Sequence, residues 1–269
     1  MLEDLTKRIR TLPPLPKSFH EINQICSSED GTIEKLAKAI EKDPMLVANL
    51  LKAANSPLYG FRREIKSVLQ AVSLFGMATT RAMIADVSIK KLLNVDIEPY
   101  GITTDEFAKV SNAQGALIKE WYPKVDKQKL DLLFLSSLLQ ENGKILIADE
   151  IVRSDEVVQF RSEIESSINI AQVEQMYVAT TTSKVSARIF EHWGFEDLMV
   201  KSIYFADDFI MAPKEIKEYA FALKVVKSAI PINSPLSERS VSIALDIVKS
   251  EGFDTSAFAQ AVENIIERF

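Results

Sequence analysis

Apolar residues recur along this chain at intervals of three and four, the spacing that gathers them on one face of an α-helix. Ile33, Leu36, Ala37 and Ile40 form such a stripe behind Thr32, a capping residue that follows Asp30-Gly31. Asp43-Pro44 then reads as an N-cap and an N1 proline, opening a second helix through Met45, Val47, Leu50 and Leu51. That helix stops at Asn55-Ser56-Pro57, because a proline disfavours the helical conformation in the residue before it. Val68, Ala71, Val72 and Phe75 make a third face, closed by Gly76. Thr103-Thr104-Asp105-Glu106 is a capping box ahead of Phe107 and Val110. Further helical stretches follow around 129–140, 155–165, 170–191, 196–206, 213–228, 237–250 and 255–268.

No alternating apolar and polar run is long enough for a sheet, and no Asn-Gly or Asp-Gly turn separates β-branched runs. The expected fold class is therefore all-α. Pro99-Tyr100-Gly101 is the expected boundary between an N-terminal layer of short helices, residues 1–100, and a longer helical region, residues 101–269. No period of 20–50 residues repeats, which argues against a solenoid.

Composition narrows the chemistry more than it adds to it. The chain has 269 residues with two histidines, His20 and His192, and one cysteine, Cys26. Imidazole is the usual general base near neutral pH and the commonest metal ligand. Two isolated histidines do not build a transition-metal centre of the ordinary kind. His20 and Cys26 lie six apart on one expected helix and point to different faces, so they form no nucleophile–base pair. Gly143-Lys144 is no phosphate loop, since no glycine precedes it at the required spacing.

Net charge is −6 and unevenly spread. Residues 1–100 hold 14 Lys and Arg against 12 Asp and Glu, and the remainder holds 18 against 26. A broad nucleic-acid-binding face is not expected from this balance. The start of the chain is acidic and lacks an apolar signal segment, and the longest apolar stretch, Leu132–Leu139, is far too short for a bilayer. The expectation is a cytoplasmic protein with no membrane partner.

One segment carries the densest chemistry: Ser137-Leu138-Leu139-Gln140-Glu141-Asn142-Gly143-Lys144-Ile145. It resembles the signature of HD-type metal phosphohydrolases, in which a His-Asp pair at a helix end supplies two metal ligands. The frame Leu138, Leu139, Gly143 and Lys144 is kept, and the ligand pair is replaced by Gln140 and Glu141.

Residues 5–210 resemble more specifically the HDOD family of bacterial signalling output domains. Leu12-Pro13-Pro14-Leu15-Pro16 is similar to its opening motif, and Ile40, Asp43-Pro44 and the run Leu50–Gly60 to its most distinctive stretch. Ile65, Ser67, Ala71 and Phe75-Gly76 continue the spacing. Glu174 and Phe190-Glu191-His192-Trp193-Gly194-Phe195 resemble the distal half.

The resemblance implies a helical bundle of the HD-domain, phosphodiesterase-like kind and a role in signal transduction. It places the metal-ligand positions of catalytic relatives near Val110, Gln140, Glu141, Thr182, Ala206 and Asp207, with a late aspartate near Lys224. A valine has no lone pair to offer, and an amide oxygen binds transition metals weakly. The expectation is accordingly no catalytic residue, no metal and no cofactor, and a pseudo-phosphohydrolase acting as a regulatory module. Its partners would be signalling proteins in trans, of the receiver or nucleotide-signalling type.

Two alternatives stay open. Carboxylates at Glu141, Asp149, Glu150, Asp207 and Asp208 leave room for an oxygen-only Mg²⁺ site, centred on Glu141 and Asp207, in a divergent phosphohydrolase acting on a nucleotide or phosphodiester. On the plainer view Glu141 solvates a helix end and Asp207-Asp208 occupy a turn. A small-molecule sensor is the other alternative, using a vestigial cleft at Glu141 and Lys144, where Lys144 pairs with Glu141 or Asp149 or meets an anion.

The expected interaction surface is Asn55, Ser56, Pro57, Tyr59 and Gly60, with Arg62 and Arg63 beside them. Asn55 as a helix cap and Tyr59 as packing between the two halves would make the same loop structural. His192 is expected at a helix end, partly exposed, and Cys26 at the edge of the core.

Overall fold

A computed structural model describes residues 2–94 and 96–269, and every regular element among them is helical. By contacts the chain divides into a larger unit, Met1–Leu12 with Val95–Glu267, and a smaller one, Pro13–Asn94 with Arg268–Phe269.

The smaller unit contains α2 (Lys17–Ser27), α3 (Ile33–Glu41), α4 (Pro44–Ala54), α5 (Val68–Phe75) and α6 (Met77–Leu93). Its helix starts follow the capping chemistry. Thr32 accepts from Lys35 N–H, and Asp43 accepts from Met45 N–H at 2.9 Å ahead of Pro44. The sequence reading placed no helix over α6, and the reason is its burial. Thr79, Thr80, Ala82 to Asp86, Ser88 and Ile89 are all buried, so no polar face alternates with an apolar one. His20 is exposed on α2, and Cys26 is half-buried on the same helix, its thiol pKa raised by burial.

The larger unit begins with α1 (Leu2–Arg10), which packs on α9 (Gly143–Arg153) and α12 (Thr182–His192) through Leu5 and Ile9. Arg8 pairs with Asp149 and Glu150 of α9. The first helix therefore belongs with the C-terminal helices rather than with the N-terminal layer. Pro99-Tyr100-Gly101 does not behave as a linker either: Tyr100 is 1% exposed, inside the larger unit.

The core of this unit is α7 (Thr104–Trp121) against α8 (Leu130–Leu139), α14 (Lys214–Ala229) and α16 (Thr255–Ile266). The Thr103–Glu106 capping box opens α7 as expected. α9 crosses α12, which packs on α13 (Asp197–Tyr204), and α15 (Glu238–Ser250) lies on α14. α9 was missed by the sequence reading for the reason α6 was, since Gly143 to Ala148 are all buried. α10 (Val157–Ser166) and α11 (Ile170–Val178) complete the unit.

The stretch 170–191 is two helices rather than one. Ala179 takes the left-handed conformation (φ 55°) and Thr181 is extended, so α11 ends and α12 starts afresh. Three consecutive β-branched residues, Thr180 to Thr182, weaken helix propensity at this point. Among the described residues no single helix is long and apolar enough to cross a membrane.

Candidate functional site

The break between α11 and α12 sets up the site. It frees the backbone N–H of Thr182, which donates to Glu174 Oε2 at 2.6 Å. Glu174, midway along α11, is fully buried. Its other oxygen accepts from Tyr100 OH at 2.9 Å, from the Thr182 hydroxyl, and from Lys144 Nζ at 3.0 Å. Lys144 lies on the first turn of α9 and is only 1% exposed. Its ammonium also meets Glu141 Oε2 at 2.9 Å and Thr182 Oγ1 at 3.0 Å, and it stands 5.1 Å from the centre of the Tyr100 ring. One ammonium thus serves two buried carboxylates, with a cation–π contact on a third side.

Glu141 extends the network inward. Its Oε1 accepts from Gln114 Nε2 of α7 at 3.1 Å, and the same amide nitrogen reaches Ile230 O at 3.0 Å. Gln140 Nε2 donates to Gln114 Oε1 at 2.8 Å. The Ser186 hydroxyl ties the backbone at this corner, accepting from Gly143 N–H at 2.7 Å and donating to Gln140 O at 2.8 Å. α9 approaches α12 so closely that a Cβ on Gly143 would lie 2.4 Å from Thr182 O. Only glycine fits there.

A second ion pair borders the first. Lys227 Nζ of α14 donates to Asp207 Oδ1 and to Ser183 Oγ, both at 2.9 Å. Lys224, one turn earlier, carries no ion pair among the described residues.

Burial alone would push the Glu141 carboxyl up. The ammonium groups of Lys144 and Lys227, with the hydrogen bonds from Lys144 and Gln114, outweigh it and hold the carboxyl below its ordinary value. Burial likewise opposes the Asp207 charge, and Lys227 more than offsets it, so this carboxyl lies well below the usual range. For Lys227 burial is outweighed by Asp207, Glu141 and Glu174, and its ammonium is held well above the ordinary lysine value. The Lys224 ammonium is pulled down, by burial first and by Lys227 as well, against Asp207 and Asp208.

These groups border a cleft of about 360 Å³ that lies wholly within the larger unit. Glu141, Lys144, Asp207, Lys224 and Lys227 line it, with Arg239 of α15 on its wall.

The residues aligned with metal ligands do not suit a divalent cation. Val110 and Ala206 are buried and offer no donor. The Thr182 hydroxyl is committed to Glu174, Glu141 to Gln114 and Lys144, and Asp207 to Lys227. Two ammonium groups already supply the positive charge that a metal would bring, and they would repel a dication. Among the described residues no group of three His, Cys, Asp or Glu could hold a metal ion.

Several expectations are corrected by this geometry. Glu141 does not solvate a helix end, being 1% exposed and ion-paired. Lys144 pairs with Glu141 but not with Asp149, whose partners are Arg8 and Arg153. Asp207 does sit in the turn after α13, yet as the partner of Lys227. The structure brings Gln140, Glu141, Thr182 and Asp207 to one place and leaves Val110 in the apolar core. It adds Tyr100, Gln114 and Lys227, for which the sequence offered only the three-residue spacing of Lys224 and Lys227 on one helix face. His192 ends α12, exposed, with Nε2 3.3 Å from Leu12 O.

The Asn55–Arg63 loop belongs to the smaller unit. Asn55 is a clamp: its Nδ2 donates to Leu51 O and Ile65 O, and its Oδ1 accepts from Ile65 N–H at 2.8 Å. Ser56 and Pro57 open a single 3₁₀ turn that Gly60 ends at φ 68°. Tyr59 and Phe61 pack edge-on against Phe75, at 5.0 and 5.2 Å between ring centres. Tyr59 thus has its aromatic partner within its own unit, and burial raises its phenol pKa. Arg62 and Arg63 are exposed and carry no ion pair among the described residues.

A model of the HDOD domain matches residues 12–209. The chain belongs to the HDOD domain family. A relative of this chain, an uncharacterized protein of Treponema pallidum, is 21% identical over 216 residues, which is 79% of this chain and 41% of that protein. The chain therefore spans less than half the length of that curated relative. Among solved structures, a virulence factor from Campylobacter jejuni is 25% identical, with full coverage of both chains and a TM-score of 0.59. A candidate signal transduction protein from Marinobacter aquaeolei has a TM-score of 0.73 at 20% identity, covering 99% of this chain and 62% of that one. Such likeness shows that the chain shares its all-α fold with these proteins.

Proposed function

We propose that this HDOD chain is a non-catalytic signal-transduction module that works by protein–protein interaction. The observation that carries the reading is the ion pairing of Glu141 with Lys144 and of Asp207 with Lys227. The two carboxylates best placed to hold Mg²⁺ are already neutralised by the protein's own cations. The description of the Marinobacter protein as a candidate signal transduction protein points the same way. The partners are signalling proteins in trans, of the receiver or nucleotide-signalling type, in the bacterial cytoplasm. Nucleic acid and membrane are not among them. The contact surface is the rigid Asn55–Gly60 turn, with Arg62 and Arg63 as its free charges.

Hydrolysis assays test the first half. With bis-p-nitrophenyl phosphate or nucleotides and added Mg²⁺ or Mn²⁺, turnover is expected at background, unchanged in Glu141→Ala. Metal-dependent turnover that Glu141→Ala abolishes overturns the reading in favour of a carboxylate-based phosphohydrolase. Affinity capture tests the second half: Arg62→Glu with Arg63→Glu should release a receiver-type partner that the unaltered chain retains. Equal capture by both forms removes this surface from the proposal.

A further inference from the structure

The cleft of the larger unit has more positive charge than its own acids consume. Four cationic side chains line it, Lys144, Lys224, Lys227 and Arg239, against two carboxylates, Glu141 and Asp207. Lys144 and Lys227 are spent on those carboxylates and on Glu174. Lys224 and Arg239 are left without a counter-ion among the described residues, from two helices that pack together, α14 and α15.

We propose that this cleft binds a small organic phosphomonoester, with Lys224 and Arg239 as its cationic contacts. The charge favours it: a phosphomonoester is an anion of about −1.5 to −2 at neutral pH. Lys224 and Arg239 make no ion pair among the described residues, and the four cations still exceed the carboxylates Glu141, Asp207 and Glu174 by one. The geometry matches too. Lys224, Lys227 and Ser228 fall at i, i+3 and i+4 of α14, so two ammonium groups and a hydroxyl share one face of the cleft. Arg239 supplies the planar fork suited to two oxygens of one phosphate. Ile168, Ile232 and Ile243 line the cleft as well and give an organic body apolar surface to rest on. A volume of about 360 Å³ is at the small end of ligand sites. Burial and Lys227 pull the Lys224 ammonium below the ordinary lysine value despite Asp207 and Asp208, and a further negative charge beside it would oppose that shift. Bound phosphate would supply that charge. Binding here requires no metal and no bond cleavage, and it holds whichever protein partner the module has.

Calorimetric titration in buffer with EDTA tests it, using adenosine 5′-monophosphate, adenosine and inorganic phosphate as probes. The monophosphate should bind one-to-one with a dissociation constant below about 1 mM. Inorganic phosphate should bind at least about tenfold more weakly and adenosine not measurably. Lys224→Gln and Arg239→Gln should each weaken the monophosphate about tenfold or more. Arg239 is exposed, so its variant keeps the fold and decides the matter if Lys224→Gln does not fold. Absence of saturable monophosphate binding overturns the proposal, as does adenosine binding equally well or affinity unchanged in Arg239→Gln. Because EDTA removes any metal, these outcomes are separate from the hydrolysis assay that tests the absence of catalysis.

Discussion

The ammonium of Lys144 lies 3.0 Å from Glu174 Oε1, and this contact joins the first turn of α9 to the middle of α11 across 30 residues of sequence. With Glu141 on its other side, Lys144 is, among the described residues, the single cation in direct contact with either of two buried acids. Removing one partner of such a cluster costs more than the cluster contributes, because the remaining charges stay buried.

Lys144→Met should therefore lower the unfolding free energy by about 3–5 kcal/mol. Urea denaturation at pH 7 measures it. A loss below about 1 kcal/mol would mean that water reaches the two carboxylates and that the site is far more open than described.

The pH dependence follows from signs alone. Glu141 and Asp207 have carboxyl pKa values held below their unfolded values. Their contribution to stability is complete above the unfolded carboxylate range, near pH 4–4.5, and is lost as pH falls through the folded values. The urea midpoint should thus fall steadily from pH 5 towards pH 2. In Lys144→Met the Glu141 carboxyl loses the nearest ammonium that holds it down, so its value moves up. The stability that this ion pair contributed at neutral pH is then missing from the variant and is in any case lost from the parent in acid, so the gap between variant and parent should narrow towards acid. A constant gap from pH 7 to pH 3 would contradict the ion-pair assignment.

Gly143→Ala tests the contact between α9 and α12. The new Cβ would meet backbone atoms of Thr182 and Ser186 at 2.4 and 2.8 Å, and neither is the mobile end of a side chain. A cost of about 1–3 kcal/mol or more is expected, read as a lower melting temperature. An unchanged melting temperature would show that the helices can part without penalty.

The Asn55 loop separates architecture from recognition within one stretch of chain. Asn55→Ala leaves the N–H and C=O of buried Ile65 without their side-chain partner, at a cost of about 1–3 kcal/mol. Arg62→Glu with Arg63→Glu should change stability by about 0.5 kcal/mol or less per site, because both side chains are exposed. Thermal melts of both variants decide it. Reversed magnitudes would make the arginines structural.

What the sequence disclosed was local. Thr32, Asp43-Pro44 and the Thr103–Glu106 box act within four residues of themselves, so their spacing is enough to read them. α6 and α9 escaped because burial on all sides erases the stripe that periodicity detects. The break at Ala179 was hidden by apolar spacing that continues through it, though the three threonines were a usable sign. At the site, Glu141 and Lys144 were within reach because they are three apart on the chain. Tyr100 and Lys227 were not, because they meet the network only through tertiary contacts. The pairing of Lys144 with Glu141 was among the readings the sequence offered, but the burial of Glu141 was not: a carboxylate at a helix end looks solvated until the helices that cover it are known.

The paired charges also bear on ancestry. Suppose a lineage that once bound metal here arrived at the present residues. Putting histidines back one at a time would set each new ligand beside Lys144 and Lys227, whose charge opposes a dication. Removing either lysine first would strand an acid in the interior and weaken the fold before any metal could compensate. The route back runs through variants worse than both ends. On that supposition the network works as a ratchet, leaving what the site binds free to change while a metal centre could not return by single steps.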